Sequence, residues 1–111
     1  MTLEADVIND KRKIGRIEFS TPSQMVVYGT GETIYVRVED ASPKGMGLSI
    51  KGQPHDLLNK DVIVIADTVI MYASIRHVTP RNDGTCFVGI AAKKFTDEVL
   101  RYIVRNFGRD L

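Results

Sequence analysis

The sequence has little of what disulfide staples, cysteine-built metal centres or membrane spans require. Its 111 residues include one cysteine, Cys86. A lone thiol cannot close an internal disulfide or build a cysteine-rich zinc cluster, and it fits a reducing compartment. No apolar run approaches the roughly 20 residues that a membrane-spanning helix needs. Residues 1–15 mix acids with bases and contain no signal-peptide core. A cytoplasmic location without membrane insertion is therefore expected. Net charge is also scarce, since 15 Lys and Arg against 14 Asp and Glu leave +1. So even a balance exerts no global pull on long polyanions, and neither DNA nor RNA is expected as a partner. Any basic site has to be local. Gly-rich phosphate loops, nucleophile elbows and paired catalytic carboxylates are missing too, so neither enzymatic activity nor a bound cofactor is expected.

What is present is a composition of 43% apolar and 26% charged residues, close to that of an ordinary globular domain. The length suits one domain with one core. Strand signals dominate. Ile17–Phe19 and Met25–Tyr28 are each followed by the Ser, Thr, Pro or Gly residues that mark turns. Thr33–Val38 alternates, with Ile34, Val36 and Val38 on one face. After the turn-like stretch Asp40–Gly45, alternation resumes with Met46, Leu48 and Ile50 on one face. Val62–Ala66 is continuously apolar, as expected of a strand covered on both sides, and β-branched residues continue through Val69–Val78. Asn82-Asp83-Gly84 reads as a reversal into Cys86–Ile90.

Only the C-terminal segment is helical by pattern. Thr96 suits an N-cap, Asp97 and Glu98 fall in the first turn, and Val99, Leu100, Ile103, Val104 and Phe107 form an apolar stripe before Gly108. Short strands at close spacing with one terminal helix predict an all-β fold: a small, closed or nearly closed antiparallel barrel with the helix over one open end. The expected layout is a single domain, with an N-terminal arm over 1–16, barrel strands over 17–92 and a helix over 96–107.

Two local patterns carry candidate chemistry. Lys11-Arg12-Lys13-Ile14-Gly15-Arg16 places four cations in six residues, and each arginine offers a planar fork suited to a phosphate or to the O6/N7 edge of guanine. Asp40-Ala41-Ser42-Pro43-Lys44-Gly45 supplies an acid, a hydroxyl and a glycine within a few residues. Taken alone, the first reads as a solvated basic arm and the second as an ordinary β-turn in which Gly accepts positive φ.

Together, Arg-x-x-x-Arg followed by Asp-x-Ser-x-x-Gly resembles the paired signature of PilZ domains, the bacterial receptors of cyclic di-GMP. Arg12 and Arg16 match the first part, and Asp40, Ser42 and Gly45 the second. By average residue usage, such an ordered coincidence arises in on the order of a per cent of chains this long. The resemblance runs from about residue 11 to about residue 107. It implies a six-stranded split barrel whose partners are cyclic di-GMP and a downstream protein of motility, pilus or exopolysaccharide machinery. By the same resemblance, Arg12 and Arg16 hold phosphate and guanine edges, Asp40 accepts from guanine or orients an arginine, Ser42 bonds through its hydroxyl, and Gly45 lets the backbone pass close to the nucleotide. Four charge-assisted contacts of about 1.5–3 kcal/mol each put micromolar affinity, about 8 kcal/mol, within reach. The family's last strand often ends Gly-x-x-Phe, whereas Gly89 is followed by Ile90, Ala91 and Ala92, so Gly89 stands apart from the five motif residues.

The remaining polar candidates carry less. His55 reads as a loop residue, and His77 falls on the apolar-facing set of its strand with Val69, Met71, Ala73 and Ile75. Neither has a partner at metal-ligand spacing. Cys86 reads as buried and inert, and Met25, Met46 and Met71 as core. Two other readings are a barrel adaptor that works by protein contact without nucleotide, and a single-strand nucleic-acid binder, for which Tyr28, Tyr35 and Tyr72 are too scattered.

Overall fold

The computed structural model describes residues 23–52 and 56–107. Six strands follow in order: β1 (Ser23–Val27), β2 (Thr33–Ser42), β3 (Gly45–Lys51), β4 (Asp61–Ala66), β5 (Val69–Pro80) and β6 (Thr85–Ala92), then helix α1 (Asp97–Phe107). They close into an antiparallel barrel in the order β1-β2-β3-β6-β5-β4, with β1 paired to β4. The expected fold class, a small six-stranded antiparallel barrel with one C-terminal helix, is the one found. The strand expected at Ile17–Phe19, the arm 1–16, His55 and Gly108 lie outside the described residues.

β4 shows why an apolar run need not alternate. Val62 and Val64 point into the barrel beside Met25, Leu48, Ile75 and Val88, all of them fully buried. Ile63, between them, points outward and is equally buried, because Tyr72 of β5 and Val99 and Ile103 of α1 cover it. The helix therefore lies along the outer wall over β4 and β5 and does not close an open end. Among the described residues, Leu57, from the segment between β3 and β4, joins the interior cluster, and no residue of α1 does.

The helical stripe is also rotated from the expected one. Tyr102 packs edge-on against Tyr28, with ring centroids 5.0 Å apart, and Tyr28 donates to Glu98 Oε1 at 3.0 Å. Those contacts turn Val99, Tyr102, Ile103 and Phe107 to the barrel, leaving Leu100 46% and Val104 65% exposed. Thr96 is the N-cap, its Oγ1 accepting from the Val99 N–H at 3.1 Å. Thr96→Ala is expected to lower stability by about 1 kcal/mol in urea denaturation, with Thr96→Ser close to wild type. No helix among the described residues is long and apolar enough to cross a membrane.

Candidate functional site

Two β-bulges decide which polar residues the outer wall displays. Along β2, Val36 is buried and Val38 packs against the interior; strict alternation would send Asp40 inward next. The pairing with β3 instead slips between Val38 and Asp40, so that Glu39 is an extra residue. Beyond the slip Ala41 takes the inward position, 7% exposed, while Asp40 and Ser42 face out. β5 repeats the device, with Ala73 and Ile75 inside, a slip between Ile75 and His77, and Val78 inside after it. His77 thus stands on the exposed outer face, not on the apolar set where regular alternation puts it.

The bulges bring Asp40, Gly47, Gly89 and His77 into one row across β2, β3, β6 and β5. The next row reads Ser42, Gly45, Ala91 and Ser74. Small residues fill the middle of both rows, so the wall between the two flanking strands is low. Asp40 Oδ1 accepts from the Gly47 N–H at 2.9 Å, which fixes the carboxylate over β3. A carboxylate has about four acceptor positions, so this bond leaves capacity for an incoming donor. A methyl group on Gly47 would lie 2.9 Å from Asp40 Oδ1 and 3.0 Å from Phe87 Cε1. Carboxylate and ring are therefore neighbours above one glycine.

The turn expected within residues 40–45 is present and is tighter than that stretch. β2 runs through Ser42, β3 starts at Gly45, and only Pro43 and Lys44 turn the chain. Ser42 Oγ accepts from the Lys44 N–H at 3.2 Å, and the Ala92 N–H donates to the Lys44 carbonyl at 2.7 Å. Gly45 has no positive φ; its demand is for space, because a Cβ there would stand 2.0 Å from the Ile90 carbonyl oxygen. Among the described residues, the close approach that requires glycine here is between β3 and β6.

Beside this face Arg81, which follows β5, reaches Glu39 through two hydrogen bonds, Nη1 to Oε2 at 2.6 Å and Nη2 to Oε1 at 2.8 Å. Its guanidinium carbon lies over the Phe87 ring, 5.2 Å from the centroid. The hydrogen bond to Arg81 holds the Glu39 carboxyl below its ordinary range, and the same bond raises Arg81. Nothing in the sequence marks this group, whose ion pair joins residues 42 positions apart.

Of the motif residues, Asp40, Ser42 and Gly45 come together on the outer faces of β2 and β3. Arg12 and Arg16 lie outside the described residues. Gly89 occupies the row opposite Gly47, with Phe87 Cε2 and His77 Cδ2 placed 3.5 and 3.3 Å from where its Cβ would be. Cys86 is buried. Among the described residues no three His, Cys, Asp or Glu side chains gather where they could hold a metal ion. No family model matches the chain, and no curated protein matches it.

Proposed function

We propose that the chain is a cyclic di-GMP receptor of PilZ type that passes the level of the messenger to a partner protein. The observation that carries the reading is the pairing of Asp40 and Ser42 on one exposed face, with Asp40 held by the Gly47 N–H. A bulge sets that facing, which spacing alone does not guarantee. Chain length supports the role of the arginines. β1 opens at Ser23, opposite Val36 of β2, about 13 Å along the strand from Asp40. Arg16 precedes Ser23 by seven residues, a span of up to about 23 Å. Binding would fix Arg12 and Arg16 against the barrel and so alter the surface offered to a partner.

Titration calorimetry with cyclic di-GMP, with GTP and a short RNA as controls, tests this. Arg16→Ala is expected to lose at least about tenfold in affinity, or about 1.4 kcal/mol, while Arg105→Ala, on the helix, stays within about twofold. Equal binding by Arg16→Ala and wild type overturns the assigned role. A second reading, a nucleotide-free adaptor, draws on Gly45, whose identity strand packing explains without any ligand. Absence of binding by the wild type favours it. A single-strand nucleic-acid binder is less well supported, because Tyr28 and Tyr72 pack in the aromatic cluster beneath α1.

A further inference from the structure

We infer that Arg81 and Phe87 form a stacking platform for a purine base beside Asp40, a subsite outside the five motif residues. The inference rests on the nucleotide-binding reading above and adds to it where one base would lie. The guanidinium is restrained on two sides: Phe87 lies beneath it at 5.2 Å, and Glu39 grips its edge with bonds of 2.6 and 2.8 Å. A planar group held by its edge and backed by a ring keeps its orientation, so a flat ligand stacks on it at little further cost in side-chain order. The arginine side chain stays 37% exposed despite these contacts, so the group is accessible from solvent.

Position supports the assignment. Phe87 and Asp40 meet above Gly47, so a base stacked on the platform has the Asp40 carboxylate within reach of its edge. Guanine suits this pairing, because its N1–H and N2 amine donate to a carboxylate while its ring lies on a cationic plane. The low row of Gly45 and Ala91 leaves room beside the ring for the sugar and phosphate. An arginine engaged only as a point charge for phosphate would have no need of the ring beneath it.

The test compares Arg81→Ala, Arg81→Lys and wild type in calorimetric titrations of the full chain with cyclic di-GMP, with thermal unfolding of each by circular dichroism. Both variants are expected to bind about tenfold more weakly than wild type, since lysine keeps the charge and loses the plane. Arg81→Lys within about twofold of wild type shows a point-charge role and overturns the platform while leaving the nucleotide reading intact. If Arg81→Ala does not fold, Arg81→Lys, which keeps a cation opposite Glu39, decides the matter alone. No binding by the wild type overturns the nucleotide reading, and the platform with it.

Discussion

Gly45→Ala is expected to destabilise the barrel by roughly 3 kcal/mol, the upper part of the range for forcing extra volume into a packed interior. The added methyl would be centred 2.0 Å from the Ile90 carbonyl oxygen and 3.2 Å from Ala91 Cα. Those atoms are backbone of the adjacent strand, so no side-chain rotation makes room; β3 and β6 must part locally. The two strands pair continuously from Gly45 opposite Ala91 to Lys51 opposite Thr85, and parting them at one end strains that ladder. Urea denaturation followed by far-ultraviolet circular dichroism measures the loss. A change below about 0.5 kcal/mol, the range of ordinary surface substitutions, would show that the strands separate there freely. Gly52 offers the control for space, since nothing lies within 4 Å of its added Cβ, although its φ of 79° gives alanine a backbone strain that Gly45→Ala lacks.

Asp40→Ala is expected to weaken cyclic di-GMP binding by tenfold to a hundredfold, equivalent to one charge-assisted hydrogen bond of about 1.5–3 kcal/mol. It also removes the acceptor for the buried Gly47 N–H and so costs about 1 kcal/mol of stability. Asp40→Asn separates the two effects. An amide oxygen still accepts from Gly47, so stability stays near wild type, while the loss of charge, and of acceptors for guanine, still weakens binding. Calorimetry and urea denaturation on the same two variants read both quantities. Asp40→Asn binding as tightly as wild type would remove the carboxylate from the site and restrict it to supporting β3.

Much of the barrel was legible because burial on one or two faces leaves a period in the residues. The alternation of Ile34, Val36 and Val38, and the unbroken run over Val62–Ala66, each follow from what covers the strand. The N-cap was legible because Thr96 acts within its own helix, three residues from its partner. The facing of Asp40 and His77 was not, since a bulge adds one residue without altering composition. Nor was the rotation of α1, which depends on Tyr28 and Tyr102, 74 positions apart in the chain, meeting ring to ring. The site divides in the same way. Asp40, Ser42 and Gly45 stand within six residues and form a readable pattern, whereas Glu39, Arg81 and Phe87 are joined only by the curvature of the wall.

The extra residues at Glu39 and Arg76 make this wall sensitive to register more than to identity. Were Glu39 kept but paired in regular register, every later position of β2 would exchange inside for outside, moving Ala41 to solvent and driving the Asp40 carboxylate into hydrocarbon, where ionisation is prohibitively costly. Excising Glu39 instead restores plain alternation with Asp40 still outside, and takes from Arg81 its carboxylate partner. A residue added to the reversal at Asn82-Asp83-Gly84 would leave all of these directions as they are. The bulge, two residues of β2 set against one of β3, is therefore what holds the Asp40 carboxylate on the outer wall while Glu39 stands beside it to grip Arg81.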